Sequence, residues 1–252
     1  MREAVIVDAV RTPIGRRNGK LKDIHPVVLG SLVLKEVVHR AGIEPQQVGD
    51  VVFGCVGQAG EQSLNIGRNA WLTAGFPVTT PATTVDRQCG SSQQALHFAA
   101  NLIQAGVCDI TIAGGVESMT RVPMGSNAMQ PGTPFPPELL ELYDLVPQGI
   151  SAELIARKYG ISRKAMDEFS VESHHRAHEA TVKGYMRSQI MPVDLSNGQP
   201  EIFSNDEGIR ANSTYEATSA LQPAFNPEHS ITAGNSSQIS DGAAAVLLMS
   251  LD

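Results

Sequence analysis

Thr84-Val85-Asp86-Arg87-Gln88-Cys89-Gly90-Ser91-Ser92-Gln93-Gln94-Ala95-Leu96 is the stretch on which the reading of this chain turns. A β-branched, extended run ends at Arg87-Gln88. One Gly and two Ser follow, and an apolar helical pattern then runs to Ala105 and is closed by Gly106. The pattern predicts a strand-to-helix turn with Cys89 on the first turn of the helix. Unsatisfied N–H groups and the positive end of the dipole at such a place stabilise a thiolate. A thiolate is the species that attacks carbonyls. Gly90 leaves room for a substrate to approach the sulfur.

Outward from this turn the same alternation repeats. Ala4–Val10 reads as a buried strand. Pro26 to Ala41 reads as a helix, with Pro in its first turn and Gly42 as its stop. Asp50–Cys55 is a second strand, and Leu64–Ala74 a helix ending at Gly75. Ala82–Asp86 is the third strand, before the Cys89 helix, and Asp109–Ala113 the fourth. A final apolar strand, Ala243–Met249, returns after a long gap. This β-α-β-α-β-α-β order predicts a mostly parallel sheet with helices on both faces. The gap, about 118–230, is rich in Pro, Met and polar residues near Pro123–Pro137. It then carries two predicted helices, Ser151–Tyr159 and Ser162–Lys183.

Composition bounds the partners. The 252 residues suffice for one large domain or a core with an insertion, and 42% hydrophobic with 18% charged content is that of a soluble globular protein. A net charge of −7 argues against nucleic acid. No apolar run approaches the roughly 20 residues of a membrane span. Strand-like Glu3–Val7 begins almost at Met1, so no signal peptide is expected. Three Cys without a CxxC predict reduced thiols in a cytoplasmic setting. Cys55 and Cys108 read as packing thiols. Gly54, Gly57 and Gly60 are spaced GxxGxxG, which is not the dinucleotide fingerprint, and no Walker A lysine occurs. His174 and His178 are i,i+4, but position 175 is His where HExxH needs Glu. A solvated helix face is expected there, and no metal.

Five blocks then carry a pattern in order. They are Val7–Gly15, Gly60–Arg68, the Cys89 segment, Gly114-Gly115-Val116-Glu117-Ser118-Met119 and Ala233-Gly234-Asn235-Ser236-Ser237-Gln238-Ile239-Ser240-Asp241-Gly242-Ala243-Ala244. The chain resembles the thiolases, enzymes that make and cleave 3-ketoacyl-CoA. The resemblance implies an α/β fold: a five-stranded mixed sheet of order 3-2-1-4-5, the last strand antiparallel, with helices on both faces. It makes 1–252 a thiolase N-terminal domain, with 118–230 an inserted loop domain, or lid, that covers the active site and holds CoA. Cys89 is then the acyl-carrying nucleophile of a C-acyltransferase. Its backbone N–H serves as half an oxyanion hole. Ser237 resembles a serine of the pantetheine tunnel, and Arg210 an arginine at the adenine and phosphate end of CoA, where a guanidinium forks onto phosphate. Arg11, Glu61 and Asp86 look structural.

By the same resemblance, coenzyme A and acyl-CoA are substrates, with no permanently bound cofactor, and the protein is a homodimer or tetramer. Family members carry a second domain of the same fold, with Asn-Glu-Ala-Phe, Gly-His-Pro and Cys-x-Gly blocks. None of these occurs before Asp252, so the C-terminal thiolase domain is expected to be absent or separate, and turnover by this chain alone to be negligible. Pro147 and Gln148 stand where short-chain thiolases commonly have His and Met, which implies a longer or bulkier acyl group. Degradative and biosynthetic directions stay open. Two other readings stand beside this one: a CoA-binding or assembly module that does not turn over, and a condensing enzyme of the ketoacyl-synthase type. The Asn235-Ser236-Ser237 and Gly114–Met119 blocks favour a thiolase over the latter.

Overall fold

The computed structural model describes residues 2–129, 131–196 and 199–252. The strands are β1 (Ala4–Arg11), β2 (Gly15–Arg16), β3 (Asp50–Gly54), β4 (Ala82–Val85), β5 (Ile110–Ser118), β6 (Val193–Asp194), β7 (Ile202–Phe203) and β8 (Ser240–Ser250). The helices are α1 (Pro26–Ala41), α2 (Ile66–Thr73), α3 (Ser91–Gln104), α4 (Pro137–Leu142), α5 (Gln148–Tyr159), α6 (Arg163–Val182) and α7 (Tyr215–Ser219). The chain divides into two compact units. One comprises 1–127, 186–207 and 239–252, the other 128–185 and 208–238. The stretch 118–230 is therefore divided, and Met186–Glu207 belongs to the first unit.

The first unit is built on a sheet of order β1-β8-β5-β3-β4, with β2 added to β8. β3 runs parallel to β4 and β5, and β8 runs antiparallel to β5 and β1. Counting the five long strands in chain order, the sheet reads 3-2-4-5-1. This corrects the expected 3-2-1-4-5: β1 is an edge strand. Its apolar run resembles a central strand, but the register slips between Ile6 and Asp8, and Ile6 is 62% exposed. A bulge and a charge suit an edge. β8 takes the interior place. It is eleven residues long, and Asp241, Ala243, Ala245 and Leu247 are buried at alternate positions.

Alternation along β3 separates two cores. Val51 and Phe53 enter the cluster under α1 and α2, with Leu34, Ile66 and Trp71. Val52 faces the other way, into a cluster with Ala95, Ala99 and Ile103 of α3. Complete burial of a side chain such as Phe53 stabilises by roughly 1.5–3 kcal/mol. α1 starts at Pro26, its Val27 N–H capped by His25 Nδ1 at 3.2 Å, and stops at Gly42, whose φ of 64° is left-handed.

The second unit holds α4 to α7. Among the described residues, both apolar clusters lie wholly in the first unit. Here polar groups are buried instead. Asp167, fully buried, accepts from Arg163 Nε at 2.6 Å and Asn235 Nδ2 at 3.0 Å. Glu153 accepts from the Ser230 N–H at 2.9 Å, the Ser230 hydroxyl at 2.7 Å and Arg157 Nε at 3.2 Å. No helix among the described residues is long and apolar enough to cross a membrane.

Candidate active site

α3 begins after Gly90, its N-cap, so Cys89 stands one residue ahead of the cap and not on the first helical turn. The displacement comes from Gln88, whose φ of 48° puts a non-glycine residue in the left-handed region. Such a residue costs of order 1–3 kcal/mol unless its surroundings hold it. They do. Asp86 Oδ1 accepts the Gln88 N–H at 2.7 Å. Ser91 Oγ accepts the Arg87 N–H at 2.9 Å and donates to the Gln88 carbonyl at 2.6 Å. The Arg87 guanidinium donates to Gln94 one turn into α3. The result is a sharp turn at the C-terminal end of a parallel strand, where open α/β sheets bind ligands, with the Cys89 residue exposed. Gly90 is open: a Cβ there would meet only the Arg87 carbonyl, at 3.4 Å.

The floor beneath α3 is made of missing atoms. A Cβ on Gly54 would fall within 2.7 Å of the Ser91 and Ser92 backbone. One on Gly115 would overlap the Ser92 side chain and stand 2.6 Å from the Gly54 carbonyl. Helix backbone therefore rests directly on sheet backbone below the thiol.

Cys55 is buried and its thiol is pushed up to about 12, first by burial and then by the Glu117 and Asp86 charges. Cys108 is half-buried, and burial raises it too.

Two residues beside this turn escaped the sequence reading. The Glu117 carboxylate accepts from the N–H groups of Val56 (2.9 Å) and Gly57 (3.2 Å) and from Gln62 Nε2 (2.7 Å). Gln62 is fully buried, donates also to the Gly57 carbonyl at 2.8 Å, and accepts the Ser118 N–H at 2.7 Å. Together they pin the chain leaving β3 to the end of β5. Both lie inside the quoted blocks, which is the signal that was available. Glu61 pairs with Arg121 at 2.5 and 2.7 Å, and Arg11 forks onto Asp206 at 2.7 and 3.0 Å.

Ser237 and Arg210 both fall in the second unit. Ser237 is exposed in the loop before β8, and among the described residues its hydroxyl has no hydrogen bond. That loop is shaped by Asn235, which accepts the Thr232 N–H at 2.8 Å and donates to Asp167 and to the Ser230 carbonyl. Gln238 Nε2 donates to the Gly208 carbonyl at 2.7 Å and so ties the Ser237 loop to the Arg210 loop. Arg210 is exposed. His174 and His175 turn towards that loop, to Arg210 and Ser213. Pro147 caps α5, and a Cβ on Gly149 would overlap the Phe225 ring.

Residues 4–252 match the family model for the thiolase N-terminal domain. The chain belongs to the thiolase family. This thiolase chain is 42% identical over 260 residues to the 3-ketoacyl-CoA thiolase of Bacillus subtilis, covering 99% of itself and 66% of that protein. It is 43% identical to a steroid 3-ketoacyl-CoA thiolase of Mycobacterium tuberculosis, covering 99% of itself and 62% of that protein. Its fold superposes on the crystal structure of the Bacillus anthracis acetyl-CoA acetyltransferase with a TM-score of 0.88 at 38% identity, over 100% of this chain and 66% of that one. The thiolase chain thus spans a little under two-thirds of the length of these relatives.

Proposed function

We propose that this chain carries the acyl-transfer half of a CoA-dependent C-acyltransferase, with Cys89 as nucleophile. The observation that carries the reading is the exposed cysteine on a left-handed turn ahead of α3, in a chain of the thiolase family. The Cys89 thiolate attacks the ketone carbon of a 3-ketoacyl-CoA. The Cα–Cβ bond breaks, the acyl group stays as a thioester on Cys89, and the departing acetyl-CoA carbanion takes a proton. The thiolate of a second CoA then displaces the acyl group. Reversal of these steps is Claisen condensation. In this reading the Cys89 backbone N–H is one of the two donors that stabilise the tetrahedral oxyanion, an effect worth roughly 2.7–4 kcal/mol per donor.

In this reading Ser237 lies along the pantetheine arm and Arg210 meets the phosphates, as an exposed guanidinium suits. The 118–230 insertion acts as the CoA-holding loop domain, and its parts 128–185 and 208–230 fall in a compact unit that continues to 238, which supports that role. The acyl group is longer or bulkier than acetoacetyl. The protein works in the cytoplasm as a homodimer or tetramer. Complete turnover draws on the second thiolase half, wherever it is encoded, for proton donation and abstraction.

Acylation is the step to test, because it needs the fewest groups from elsewhere. The full chain is mixed with a 3-ketoacyl-CoA series and its intact mass and peptide map are read. An acyl adduct on the Cys89 peptide is expected, falling by about 10⁴-fold or more in Cys89→Ala. An adduct that survives Cys89→Ala, or none with any chain length, overturns the assignment.

A further inference from the structure

Two adjacent histidines of α6 hold the loop that carries Arg210, and they do so in opposite roles. His174 Nδ1 accepts the Arg210 backbone N–H at 3.2 Å. His175 Nε2 lies 2.9 Å from the Ser213 carbonyl oxygen, a contact in which the ring donates. Ser213 N–H closes the loop onto the Arg210 carbonyl at 3.0 Å, and Gln238 holds Gly208. Among the described residues no carboxylate pairs with the Arg210 guanidinium.

The two rings answer protons differently. His175 donates from Nε2 whether neutral or cationic. His174 accepts at Nδ1 only while neutral; a proton there sets donor against donor and places a cation beside Arg210. We infer that His174 is the positioning residue for Arg210: its neutral ring fixes the 208–213 loop to α6, and protonation releases the loop and weakens binding of the nucleotide end of CoA. This rests on the reading of Arg210 as a CoA contact.

The surroundings favour the neutral ring. Burial, then Arg210, then His175 hold His174 below the ordinary imidazole range. Elsewhere on α6, His178 lies one turn on and Glu172 is paired with Arg176. On α7, which packs against α6, the single carboxylate is Glu216, and it is not among the groups acting on the ring. The sign follows from the lowered value. The hold is complete above the ordinary imidazole range and is lost as pH falls through the lowered value.

The test uses the full chain in three forms: wild type, His174→Asn, which keeps an acceptor near the Nδ1 position but does not titrate, and His174→Phe, which has none. Amide exchange of the 208–213 segment without ligand reads the hold alone. At about pH 7.5, wild type and His174→Asn are expected to be equally protected and His174→Phe not; as pH is lowered towards about 5, wild type loses protection in the direction of His174→Phe while His174→Asn keeps it. Calorimetry with CoA, and with pantetheine as the probe lacking the nucleotide, reads the consequence. The CoA 3′-phosphate titrates near pH 6 as well, so the quantity of interest is the ratio of wild type to His174→Asn. It should stay near one at the higher pH and move towards about fivefold weaker as the pH is lowered, for CoA and not for pantetheine. Exchange and affinity that fall in parallel in wild type and His174→Asn overturn the inference. If Arg210→Ala binds CoA like wild type while exchange behaves as expected, the CoA reading of Arg210 fails instead, and the affinity consequence with it.

Discussion

The first unit buries Phe53, Trp71, Leu34 and Ile112 completely, whereas α6, the longest helix of the second unit, buries a single residue, the carboxylate-bearing Asp167. One region is held by apolar area on two faces of a sheet, the other by charged side chains that gather backbone ends. Arg163 alone reaches Asp167 and the carbonyls of Thr218, Ser219 and Leu221. Apolar burial is non-directional and tolerates small shifts. A charge network is directional, and a missing partner leaves an unsatisfied group in a place of low dielectric. The sheet unit should therefore resist single polar changes and fail when its steric fit is spoiled, while the other unit should behave the opposite way.

The widest separation is expected among the thiols, all three of which lie in the sheet unit. Iodoacetamide at neutral pH should modify Cys89 at least about 100-fold faster than Cys55, because only a thiolate reacts and Cys55 is both buried and pushed up to about 12. Peptide mapping against time gives the ratio; equal rates would mean that the Cys89 turn is not presented as described. Next in size is Gly54→Ala, which drives a methyl group into the α3 backbone and should cost about 3 kcal/mol in urea unfolding, with Cys89 alkylation altered in step. A neutral outcome would show that the helix can lift off the sheet.

Asp167→Asn probes the other side of the contrast. It removes the charge that Arg163 and Asn235 share and should open the second unit by about 2 kcal/mol, seen as faster amide exchange over 208–238 with the sheet unaffected. A global loss of stability would break the distinction between the regions. The smallest effect concerns Glu153. The Ser230 backbone N–H is the largest influence holding its carboxyl below the usual glutamate range, aided by the Ser230 hydroxyl, Arg157 and His229. A lowered value means stability present above the ordinary range and lost as pH falls through the lowered one. Glu153→Gln should cost about 1 kcal/mol near neutrality and flatten the acid lability of exchange around Ser230.

How much of this was legible follows the same division. The alternation of strand and helix in the sheet unit was open to reading because Pro26, Gly42 and Gly75 punctuate it and β-branched runs fill it. Strand order was not, because β1 carries a central-looking apolar run on an edge, and nothing local records that β8 inserts beside it. The sequence puts Cys89 on the first turn of α3 and the structure puts it ahead of the Gly90 cap, because Gln88, unlike Gly or Asn, does not advertise a positive φ. The serines and Asn235 stand out in the fifth block, but Asp167, which orients Asn235 from 68 residues away, is one polar residue among many on α6. A hydrogen-bond partner at that separation leaves no periodic trace.

The notch formed by Gly54, Gly115 and Ser92 also has an evolutionary meaning. Three positions far apart in the chain share one small volume, so they behave as a single locus under mutation. A combinatorial library randomised at all three would return members that keep glycine at 54 and 115, because an added Cβ at either meets backbone that cannot turn aside. Single-step paths that enlarge residue 92 are closed while 54 and 115 keep the helix this near, and paths that enlarge 54 or 115 are closed while the helix stays. Recombination that mixes these segments between relatives must carry the three together.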